Sequence, residues 1–513
     1  MAQTQANAKL PKFADTVVIG GGTAGAAIAG LLAERSDQSV LLLEAGPDYG
    51  PFAAGRWPSE LIDAVSIPLT HDWGYDSGIQ YAPRVIGFER ARVIGGCSSH
   101  NGCAAIWGSR ADYDGWAALG NPGWSTDELR PLFRAGSDRL RVRIPGPSEI
   151  TPFQLATLDA ATTAGIPRVG DLNNLDEDLG MAPSPANIFN GIRWNTAFAY
   201  LDPVRARSNL TIAGDSPCDR LEINSGRVSA IVVARRDGPL RIEAGRVIVA
   251  AGTYGSPAIL MRSGIGDPAK LRSAGIAPMH DLVGVGRNLH DHPRLSLGFA
   301  GTRALEALMT AFARDHWMPE EQTIAKARSS RCSQAFDLHI YPVGGPDPTT
   351  PTGWRWTLEV ACMTPRSRGT LRLKSADINA RPIIDHRYLS DPDDEDLRVL
   401  ADGVALAREI AAQPALSSLL GVEILPGGGV ATRADIETFV GANCLHYFHP
   451  VGTCRMGPAT DQSAVVDSRG KIHGLENAYV VDASIMPVIP RANTNIPALV
   501  VGERLVRQLL KNA

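Results

Sequence analysis

The sequence predicts an α/β, Rossmann-like domain into which a second domain of α+β type, built on an antiparallel sheet, is inserted. Near the N-terminus, two short apolar runs of strand character enclose a glycine-rich turn and a helical stretch. Between about residues 300 and 440 the pattern changes to alternating apolar and polar residues, which is typical of half-buried antiparallel strands. Short β-branched runs, typical of buried strands, occur outside this region at 228–234, 247–251 and 478–482.

The turn after the first apolar run has the G-x-G-x-x-G spacing of a dinucleotide-binding motif. Gly20 allows the tight turn, Gly22 lets the backbone approach a pyrophosphate, and Gly25 lets the helix pack closely on the strand. Glu44 ends the second run, 19 positions after Gly25, where it can accept hydrogen bonds from ribose hydroxyls. A pyrophosphate would bind at the N-terminus of the helix. The motif is compatible with FAD and with NAD, and we expect the neighbouring residues Thr23, Ala24 and Ala45 to line the same site.

The inserted region contains three runs with strand character and one helix. The runs are 336–340, 356–360 and 369–373, and the helix is predicted over 394–413. A closing helix is predicted over 498–510, with its leucines and Val506 on one side and its basic residues, including Arg504, on the other. We expect a discontinuous nucleotide-binding domain over 12–150, 200–298 and 441–513, and a substrate-binding domain over 151–199 and 299–440.

Composition narrows the class of protein. The chain has 513 residues, enough for two to four domains, and a formal net charge of −4, which favours neither a nucleic acid nor an anionic membrane as partner. No apolar run approaches the roughly 20 residues of a membrane span, and the polar, Ala-rich first ten residues predict an unstructured tail without a signal core. The seven cysteines are odd in number and lack zinc-site spacing. We therefore expect a cytoplasmic protein in a reducing compartment.

Longer blocks of sequence carry a family resemblance. They are Ala91–Gly102, Gly252–Gly266, Phe448–Gly457 and Val481–Pro487, followed by Asn493-Thr494-Asn495. With the N-terminal motif, these blocks strongly resemble the glucose–methanol–choline (GMC) oxidoreductases, a family of FAD-dependent alcohol oxidases and dehydrogenases. The resemblance runs from about residue 15 to the C-terminus and is thin only across the inserted domain. It implies that the dinucleotide is FAD and that the protein oxidises a small-molecule alcohol.

The resemblance also implies which residues contact the cofactor. The first block supplies a loop that lies along the flavin in the family. Cys218 is at the position where the family's backbone often meets the adenine, and the last strand–helix turn contacts the pyrophosphate. The residues implied are Arg92, Gly95, Gly96, Ser99, His100, Asn101, Gly102, Cys218, Ala251, Gly252, Asp482, Ala483, Asn493 and Thr494.

His100 distinguishes this chain within the family, which usually has an apolar residue just before the Asn of this loop. Gly96–Asn101 resembles the choline oxidase branch, in which the matching histidine is covalently bonded to the 8α-carbon of the flavin. A neutral imidazole nitrogen is chemically able to form this bond, which generally raises the flavin potential. We therefore expect FAD to be linked through His100; the alternative is a histidine that only hydrogen-bonds or stacks near the ring.

His449 and Asn493 match the family's catalytic base and its partner. Imidazole, with an ordinary pKa near 6.5, is a suitable acceptor for a hydroxyl proton, and the Asn493 amide can bind the alcohol oxygen and orient its C–H towards flavin N5. His446 is either a second active-site group or a structural histidine, and we expect the structural role. His290 and His292 resemble a metal site, but the family has a structural turn here, so we expect no metal.

The predicted function is oxidation of a primary alcohol to an aldehyde by proton abstraction and hydride transfer to flavin N5. Because the flavin loop resembles that of choline oxidase, we expect an oxidase using O2, with a dehydrogenase using another acceptor as the alternative. Alternatives within the family are a hydroxynitrile lyase with redox-silent FAD and a light-driven decarboxylase, and a flavin-holding scaffold is a third. The segment 323–334 is basic, with no Glu among paired tryptophans, which disfavours a cationic substrate and favours an aryl- or heteroaryl-methyl alcohol such as a pyridoxine-like ring. Choline-like and sugar alcohols remain alternatives. Trp73, Tyr75 and Trp107 are candidates for a flat apolar wall.

Overall fold

The structure is a computed structural model that describes residues 10–78, 84–235 and 237–511, so the predicted N-terminal tail lies outside the described residues except for Leu10. The strands of the described residues are β1 (Phe13–Ile19), β2 (Val40–Leu43), β3 (Gly180–Pro183), β4 (Ile188–Phe189), β5 (Ile192–Arg193), β6 (Leu210–Ala213), β7 (Cys218–Asn224), β8 (Arg227–Val233), β9 (Leu240–Val249), β10 (Ile265–Gly266), β11 (His280–Asp281), β12 (Pro293–Gly301), β13 (Thr323–Ala327), β14 (Leu338–Pro346), β15 (Trp354–Cys362), β16 (Thr370–Arg372), β17 (Ile383–Asp385), β18 (Leu420–Leu425), β19 (Leu445–His446) and β20 (Ala478–Val480). The helices are α1 (Thr23–Arg35), α2 (Ser59–Ile62), α3 (Arg110–Ala118), α4 (Thr126–Arg139), α5 (Pro152–Thr163), α6 (Gly252–Arg262), α7 (Pro268–Ser273), α8 (Arg303–Phe312), α9 (Glu395–Ala411), α10 (Pro414–Ser417), α11 (Arg433–Asn443) and α12 (Asn495–Lys511).

The first sheet confirms the predicted Rossmann-like architecture. Its strand order is β6-β2-β1-β9-β8-β7, and β20 pairs with β9. Strands β6, β2, β1, β9 and β20 are parallel, whereas β7 and β8 add an antiparallel extension. Parallel strands covered on both faces are expected to be apolar throughout, and every residue of β2 is buried. The motif turn lies where β1 leads into α1, at the carboxyl edge of this sheet, where ligands of such folds bind.

Helix α1 packs unusually closely on its neighbours, which explains its glycine and alanine content. A Cβ atom on Gly25 would lie 1.9 Å from the carbonyl oxygen of Gly20, so this helix position can approach β1 only without a side chain. One turn and a half later, a Cβ on Gly30 would lie 2.3 Å from the carbonyl oxygen of Tyr200. The helix also packs against α12 at the end of the chain. The nucleotide motif is thus fixed between segments that are distant in sequence.

The second sheet is antiparallel, with the order β18-β12-β15-β14-β13-β3, and β19 pairs with the start of β12. One face packs against helices that include α5 and α9. Alternate residues point to the opposite face, where Arg294, Tyr341 and Glu359 line a cavity. The apolar face includes Leu295, Leu297, Leu338, Ile340, Leu358 and Val360. This alternation places polar side chains of three strands on one wall of the cavity.

Some elements differ from the sequence-based expectation. The run 369–373 gives β16, which pairs with β17 in a separate two-stranded sheet and packs near α6 rather than joining the antiparallel sheet. Strand β12 begins at Pro293, before the predicted segment boundary at residue 298. Arg504 does not lie on an exposed side of α12: it is buried, donates to the carbonyl groups of Pro122 and Gly123, and stacks on Trp124.

No helix among the described residues is both long and apolar enough to cross a lipid bilayer. All seven cysteines are unpaired, and five of them are buried.

The close packing of α1 gives a stability prediction. Replacing Gly30 with Ala would place a methyl group against the backbone of Tyr200, and such overpacking costs about 1–3 kcal/mol of unfolding free energy. We expect Gly30→Ala to lower the melting temperature in differential scanning calorimetry. The matched control is Gly115→Ala in α3, where the added Cβ meets no atom within 4 Å, so helix propensity should raise stability by up to about 1 kcal/mol. Equal melting temperatures of the two variants would contradict the packing argument.

Candidate active site

A single large cavity of about 2020 Å³ connects the carboxyl edge of the parallel sheet to the polar face of the antiparallel sheet. Residues of the nucleotide motif line one end, and residues of β12, β14 and β15 line the other. His449 and Asn493 lie on its wall together with both groups. The cavity therefore brings the predicted cofactor residues and the predicted catalytic pair into one site.

The N-terminus of α1 provides an uncapped set of backbone donors at the cavity. The helix begins after Gly22, and no side chain caps its first turn. Thr23 and Ala24 line the cavity, so the free N–H groups of this turn are available to an anion. Across from it, a Cβ on Gly96 would lie 2.6 Å from the Cα atom of Gly22. The backbone segments at Gly22 and Gly96 are therefore in direct contact, with no room for side chains between them. A pyrophosphate can approach such a surface closely.

Glu44 lies beside this surface at the end of β2. Its carboxylate accepts hydrogen bonds from the backbone N–H groups of Gly21 and Gly46, each at 2.8 Å, and it lines the cavity. Burial raises the pKa of Glu44 to about 7, although the backbone donors and Arg92 act in the opposite direction. Each carboxylate oxygen has a further lone pair, so the geometry leaves acceptors for ribose hydroxyls.

Asp482 fastens the last turn of the parallel sheet to the start of α6. It accepts hydrogen bonds from the N–H groups of Gly252 and Ser484, at 2.8 Å each, and from the hydroxyl of Ser256 at 2.5 Å. An anion so occupied does not attract a phosphate. Its role is to hold the backbone around it at the cavity wall, where Ala251, Gly252, Ala483 and Thr494 lie.

The loop predicted to lie along the flavin is fixed by internal hydrogen bonds. The N–H of Gly95 donates to the carbonyl of Gly21 at 2.7 Å, which ties the loop to the nucleotide motif. The Ser99 hydroxyl donates to the carbonyl of Ile94 at 3.0 Å. The predicted cofactor residues Gly25, Gly95 and Ser99 therefore lie behind the cavity wall and shape it. The others all line the cavity: Gly20, Gly22, Thr23, Ala24, Glu44, Ala45, Arg92, Gly96, His100, Asn101, Gly102, Cys218, Ala251, Gly252, Asp482, Ala483, Asn493 and Thr494.

His100 is buried at the end of this loop, and its ring is oriented by a carbonyl group. Nε2 lies 2.8 Å from the carbonyl oxygen of Thr70. Because a carbonyl only accepts, this contact requires a proton on Nε2 and leaves the lone pair of a neutral ring on Nδ1. Burial lowers the pKa of His100 below its ordinary value, so the neutral ring is the stable form at pH 7.

The predicted catalytic residues lie side by side. His449 Nε2 is 3.4 Å from Asn493 Nδ2, and Asn493 Oδ1 is buried with no hydrogen-bond partner among the described residues. On the other side of the ring, His449 Nδ1 is 3.0 Å from His292 Nδ1. The Asn493 amide nitrogen can only donate, so His449 Nε2 must accept and carries no proton. The proton of the neutral His449 ring is therefore on Nδ1, and this N–H donates to His292. The His449 Nε2 lone pair is thus occupied only by a long contact of 3.4 Å to the Asn493 amide, which a ligand hydroxyl at the cavity wall can replace.

The backbone that carries His449 is held in an unusual conformation. Phe448 has a φ of 63°, in the left-handed region that a phenylalanine rarely adopts. Arg90 donates to the carbonyl of Phe448 at 2.9 Å, and the N–H of His449 donates to Asp291 at 2.9 Å. These two contacts offset strain of about 1–3 kcal/mol and fix the direction of the His449 ring.

Burial keeps the histidines of the site uncharged. It lowers the pKa of His449 well below 6.5, and His292 adds to this effect. It also lowers the pKa of His292 to about 3. His449 is therefore a free base at neutral pH and stays one as the pH falls through 6.5.

Ligand atoms of Asp291, His292 and His449 lie within 4.8 Å of one another, a spacing that could suit a cation. The groups are instead arranged as hydrogen-bond partners, since His292 and His449 share a proton and Asp291 accepts from the His449 backbone. The positive charge of Arg90 acts on Asp291 and would repel a metal ion. His290 binds the backbone of Asn288 and Ile489 through its two ring nitrogens, which is a structural role.

Sequence reasoning missed several residues of the catalytic end. The rings of Tyr341 and Tyr447 stack at 5.1 Å with an angle of 9°, and Tyr447 contacts the His449 ring at 4.3 Å. Tyr447, two positions before His449, could have been found from the motif. Tyr341 could not, because it reaches the site only through sheet pairing. Glu321 and Glu359 also line the cavity.

Other expectations about this end need correction. Trp107 does not line the cavity and stacks on Phe133 at 5.3 Å, whereas Trp73 and Tyr75 do line it. The basic segment 323–334 does not line the cavity: Lys326 is buried and donates to the carbonyl groups of Gly108 and Leu172. Its charge is therefore no argument against a cationic substrate. His446 needs no such correction: it does not line the cavity, as the expected structural role requires, and burial lowers its pKa to about 3.

The nucleotide end fits FAD. Uncapped N–H groups at α1 suit the pyrophosphate, Glu44 suits a ribose, and the backbone around Cys218 borders the cavity where an adenine would lie. The flavin loop then leads to His100 and towards the catalytic pair.

Comparison with known proteins gives the same assignment. Two family models described as GMC oxidoreductase match residues 14–294 and 365–502. The chain is similar to choline oxidase from Arthrobacter globiformis, with 33% identity over 522 residues that cover 96% of this chain and 93% of that protein. Oxygen-dependent choline dehydrogenase from Paraburkholderia phytofirmans is 33% identical over 538 residues, covering 96% and 94%. The crystal structure of pyridoxine 4-oxidase from Mesorbium loti is similar with a TM-score of 0.87 and 29% identity, covering 96% and 99%.

The matched models span most of the chain, and the relatives are similar over nearly all of it. The chain belongs to the GMC oxidoreductases, the FAD-dependent family of alcohol oxidases and dehydrogenases.

Proposed function

We propose that the protein is an FAD-dependent oxidase that converts a primary aryl- or heteroaryl-methyl alcohol to the aldehyde, with O2 as electron acceptor. One observation carries this proposal: an uncharged His449 and the Asn493 amide meet on the wall of the cavity that also contains the nucleotide motif. FAD supplies a hydride acceptor at its N5 atom. The chain's own residues then have to remove a proton and orient the alcohol carbon.

His449 is the proposed base. A substrate hydroxyl bound at the cavity wall can replace the 3.4 Å contact between Asn493 Nδ2 and His449 Nε2 and donate its proton to this nitrogen, while the Asn493 amide turns its N–H to the alcohol oxygen. The imidazolium that forms is stabilised on its Nδ1 side, where the N–H donates to His292. Asp291 accepts from the backbone N–H of His449 and keeps the ring in place. The lowered pKa keeps the base unprotonated at the pH of the cell, so no prior deprotonation is needed.

Asn493 is the proposed orienting residue. Its amide donates towards the position of the alcohol oxygen, and its free Oδ1 can accept from a substrate group. Such a fixed donor stabilises the negative charge that develops on the oxygen as the proton leaves. Asn493 lies two residues before the start of α12, and this helix packs on α1, so the orientation of Asn493 is coupled to the cofactor end of the site.

We further propose that His100 is bonded covalently to the flavin through the 8α-carbon. Forming this bond would release one proton from the 8α-methyl group and one from the imidazole, and the electron pair would reduce the flavin, which O2 would then reoxidise. The ring is buried at the cavity, is uncharged, and has its Nε2 proton held by Thr70, which leaves Nδ1 as the nucleophile. A linked flavin with raised potential supports an oxidative role over a redox-silent one. We also propose that the remaining wall residues hold FAD as predicted, and that the seven free cysteines reflect a reducing, cytoplasmic location.

The substrate class is supported by the walls and by the relatives. Tyr341 and Tyr447, which stack beside the His449 ring, offer flat aromatic surface to a substrate ring, whereas Trp73 lies against Arg92 on the cofactor side of the cavity. A structurally similar protein is named pyridoxine 4-oxidase, and two sequence relatives are named for choline oxidation that uses oxygen. These names favour a nitrogen-containing primary alcohol and O2 as the acceptor.

The proposed function predicts reduction of the flavin by substrate without added electron carriers. Anaerobic mixing of the purified holoenzyme with pyridylmethanols should bleach the visible flavin absorbance, and admission of O2 should restore it with release of hydrogen peroxide and the aldehyde. Bleaching that is not reversed by O2 but is reversed by an artificial quinone acceptor would indicate a dehydrogenase. Absence of bleaching with every aryl- and heteroaryl-methyl alcohol would contradict the substrate class.

Replacing His449 with Ala should lower kcat/KM by about 10²–10⁴-fold while FAD remains bound, because only the proton acceptor is removed. Asn493→Ala should lower kcat/KM by about 10²–10³-fold, because the donor to the alcohol oxygen is lost. Steady-state kinetics on protein of known flavin content measures both. His446→Asn is the control, since this buried histidine lies on the same segment but does not line the cavity. An equal loss in the control would indicate a structural effect.

The covalent link predicts that acid precipitation leaves the yellow colour in the protein pellet. In a His100→Ala variant, the colour should pass into the supernatant, because no nucleophile remains at that position. Colour that is released from the wild-type protein would rule out the bond and leave His100 as a hydrogen-bonding group near the ring.

A further inference from the structure

The catalytic end of the cavity is bordered by several carboxylates that the proposed reaction does not use. Glu320, Glu321 and Glu359 line this end with Arg294 and Arg355. A carboxylate that a protein cation already neutralises has little affinity for a ligand, whereas a carboxylate without a partner can bind one.

Glu359 is fully engaged by its neighbours. Its Oε2 accepts from the guanidinium of Arg294 and from the hydroxyl of Ser296, and its Oε1 accepts from Thr357 at 2.7 Å. Arg294 also donates to the carbonyl of His446. This buried ion pair is therefore neutral overall, and protein groups occupy its hydrogen-bonding positions. It forms part of the cavity wall but has no free position for a ligand group.

Glu320 has a cation of its own. Its Oε2 lies 3.1 Å from the guanidinium of Arg355, which also lies 3.8 Å from Asp347. All three side chains are partly exposed, and their charges are screened by water.

Glu321 is different, because its Oε1 atom is buried and meets no hydrogen-bond donor in the part of the chain that the structure describes. Burial raises the pKa of Glu321 to about 8, and the charge of Glu359 raises it further, against the effect of Arg294. An unpaired buried carboxyl group is costly, and a ligand that supplies a partner would remove this cost.

Glu321 lines the same cavity wall as Tyr341, Tyr447 and His449. After burial, the charge of Glu321 is the main cause that raises the pKa of the Tyr447 phenol. Tyr447 in turn contacts the ring of His449. A flat substrate whose hydroxymethyl group is at His449 can therefore lie along Tyr447 with the far side of its ring towards Glu321.

We infer that Glu321 recognises a basic ring nitrogen of the substrate and so selects heteroaryl-methyl alcohols over their benzene analogues. The inference rests on the proposed function, since it specifies the alcohol that His449 deprotonates. One proton is shared between the two partners: a protonated carboxyl group donates to a neutral ring nitrogen, or a carboxylate accepts from a protonated one. Either form fills the empty hydrogen-bonding position of Oε1.

A fixed cation such as choline would fit this site less well. A quaternary ammonium has no N–H group, so it leaves Oε1 without a donor and offers only charge attraction. Tyr341 and Tyr447, which feel the charge of Glu321, are stacked on one another and so present a flat face, which suits a planar ring better than a tetrahedral ammonium group.

The test compares pyridylmethanols in all three ring isomers with benzyl alcohol, using the holoenzyme and two variants, Glu321→Gln and Glu321→Met. The wild-type protein should favour at least one pyridylmethanol in kcat/KM by roughly tenfold to a hundredfold, as a charge-assisted hydrogen bond implies. This preference should disappear in Glu321→Met and be reduced in Glu321→Gln, whose amide can still donate. Glu320→Gln is the matched control and should keep the preference.

The pH profile is a readout that a structural role would not change. The titratable and charged groups that interact with Glu321 are Glu320, Glu359, Arg294 and Cys103, with the phenols of Tyr341 and Tyr447. Above about pH 8 both Glu321 and the ring nitrogen lack a proton, so kcat/KM for the pyridylmethanol should fall. Benzyl alcohol should not show this decrease, and Glu321→Met should abolish it.

Binding without turnover separates this inference from the proposed function. Methylpyridines and toluene cannot be oxidised at a hydroxyl group, and their dissociation constants can be measured from the perturbed flavin spectrum. A Glu321-dependent preference for methylpyridine without oxidation of any alcohol would support the inference and contradict the proposed function. Oxidation of both alcohols with a ratio that is the same in wild type and Glu321→Met would overturn the inference alone. A stronger Glu321 dependence for choline than for the pyridylmethanols would also overturn it.

Discussion

The close contact between two glycine backbones determines the geometry of the cofactor end. A side chain on Gly96 would collide with Gly22, and the Gly95 N–H is bonded to the carbonyl of Gly21. The flavin loop is therefore fixed directly to the uncapped N-terminus of α1. Because the same loop continues to His100, one rigid piece of backbone sets both the site for the pyrophosphate and the distance from it to the ring system.

The catalytic end depends on the same helix through a different contact. Asn493 precedes α12, whose Asn495 accepts a hydrogen bond from Thr23 in the first turn of α1 at 3.1 Å. The two helices also approach closely, since a Cβ on Gly502 would lie 3.0 Å from the carbonyl of Ala24. Residues more than 400 positions apart are thus joined at one point. Cofactor binding and orientation of the alcohol are consequently not independent properties of this fold.

The local parts of the site could be predicted from sequence, and the long-range parts could not. The turn between β1 and α1 could be recognised because consecutive residues form its motif. His449 and Asn493 could be recognised because they belong to motifs with fixed spacing. Tyr341 reaches the site only because antiparallel strands align it with Glu359, and no local pattern records that pairing. His292 reaches it because its neighbours His290 and Pro293 pair with Val451 and His446, on either side of His449. The charge of the basic segment 323–334 gave a wrong argument about the substrate, because side chains of a strand alternate in direction. Lys326 donates to buried carbonyl groups and does not face the cavity.

Burial has opposite consequences for the titratable groups of this cavity, and together they fit one kind of chemistry. It makes His449 a free base by disfavouring the imidazolium, and it favours the protonated form of Glu321 by disfavouring the carboxylate. A low-dielectric pocket with a neutral base at one end and an unpaired carboxyl group further along suits a substrate that supplies the missing partner for each. The hydroxyl proton satisfies His449, and a ring nitrogen satisfies Glu321. The wall between them, Tyr341 and Tyr447, is flat, so the shape of the cavity and its charge both favour an aromatic ring with a basic nitrogen.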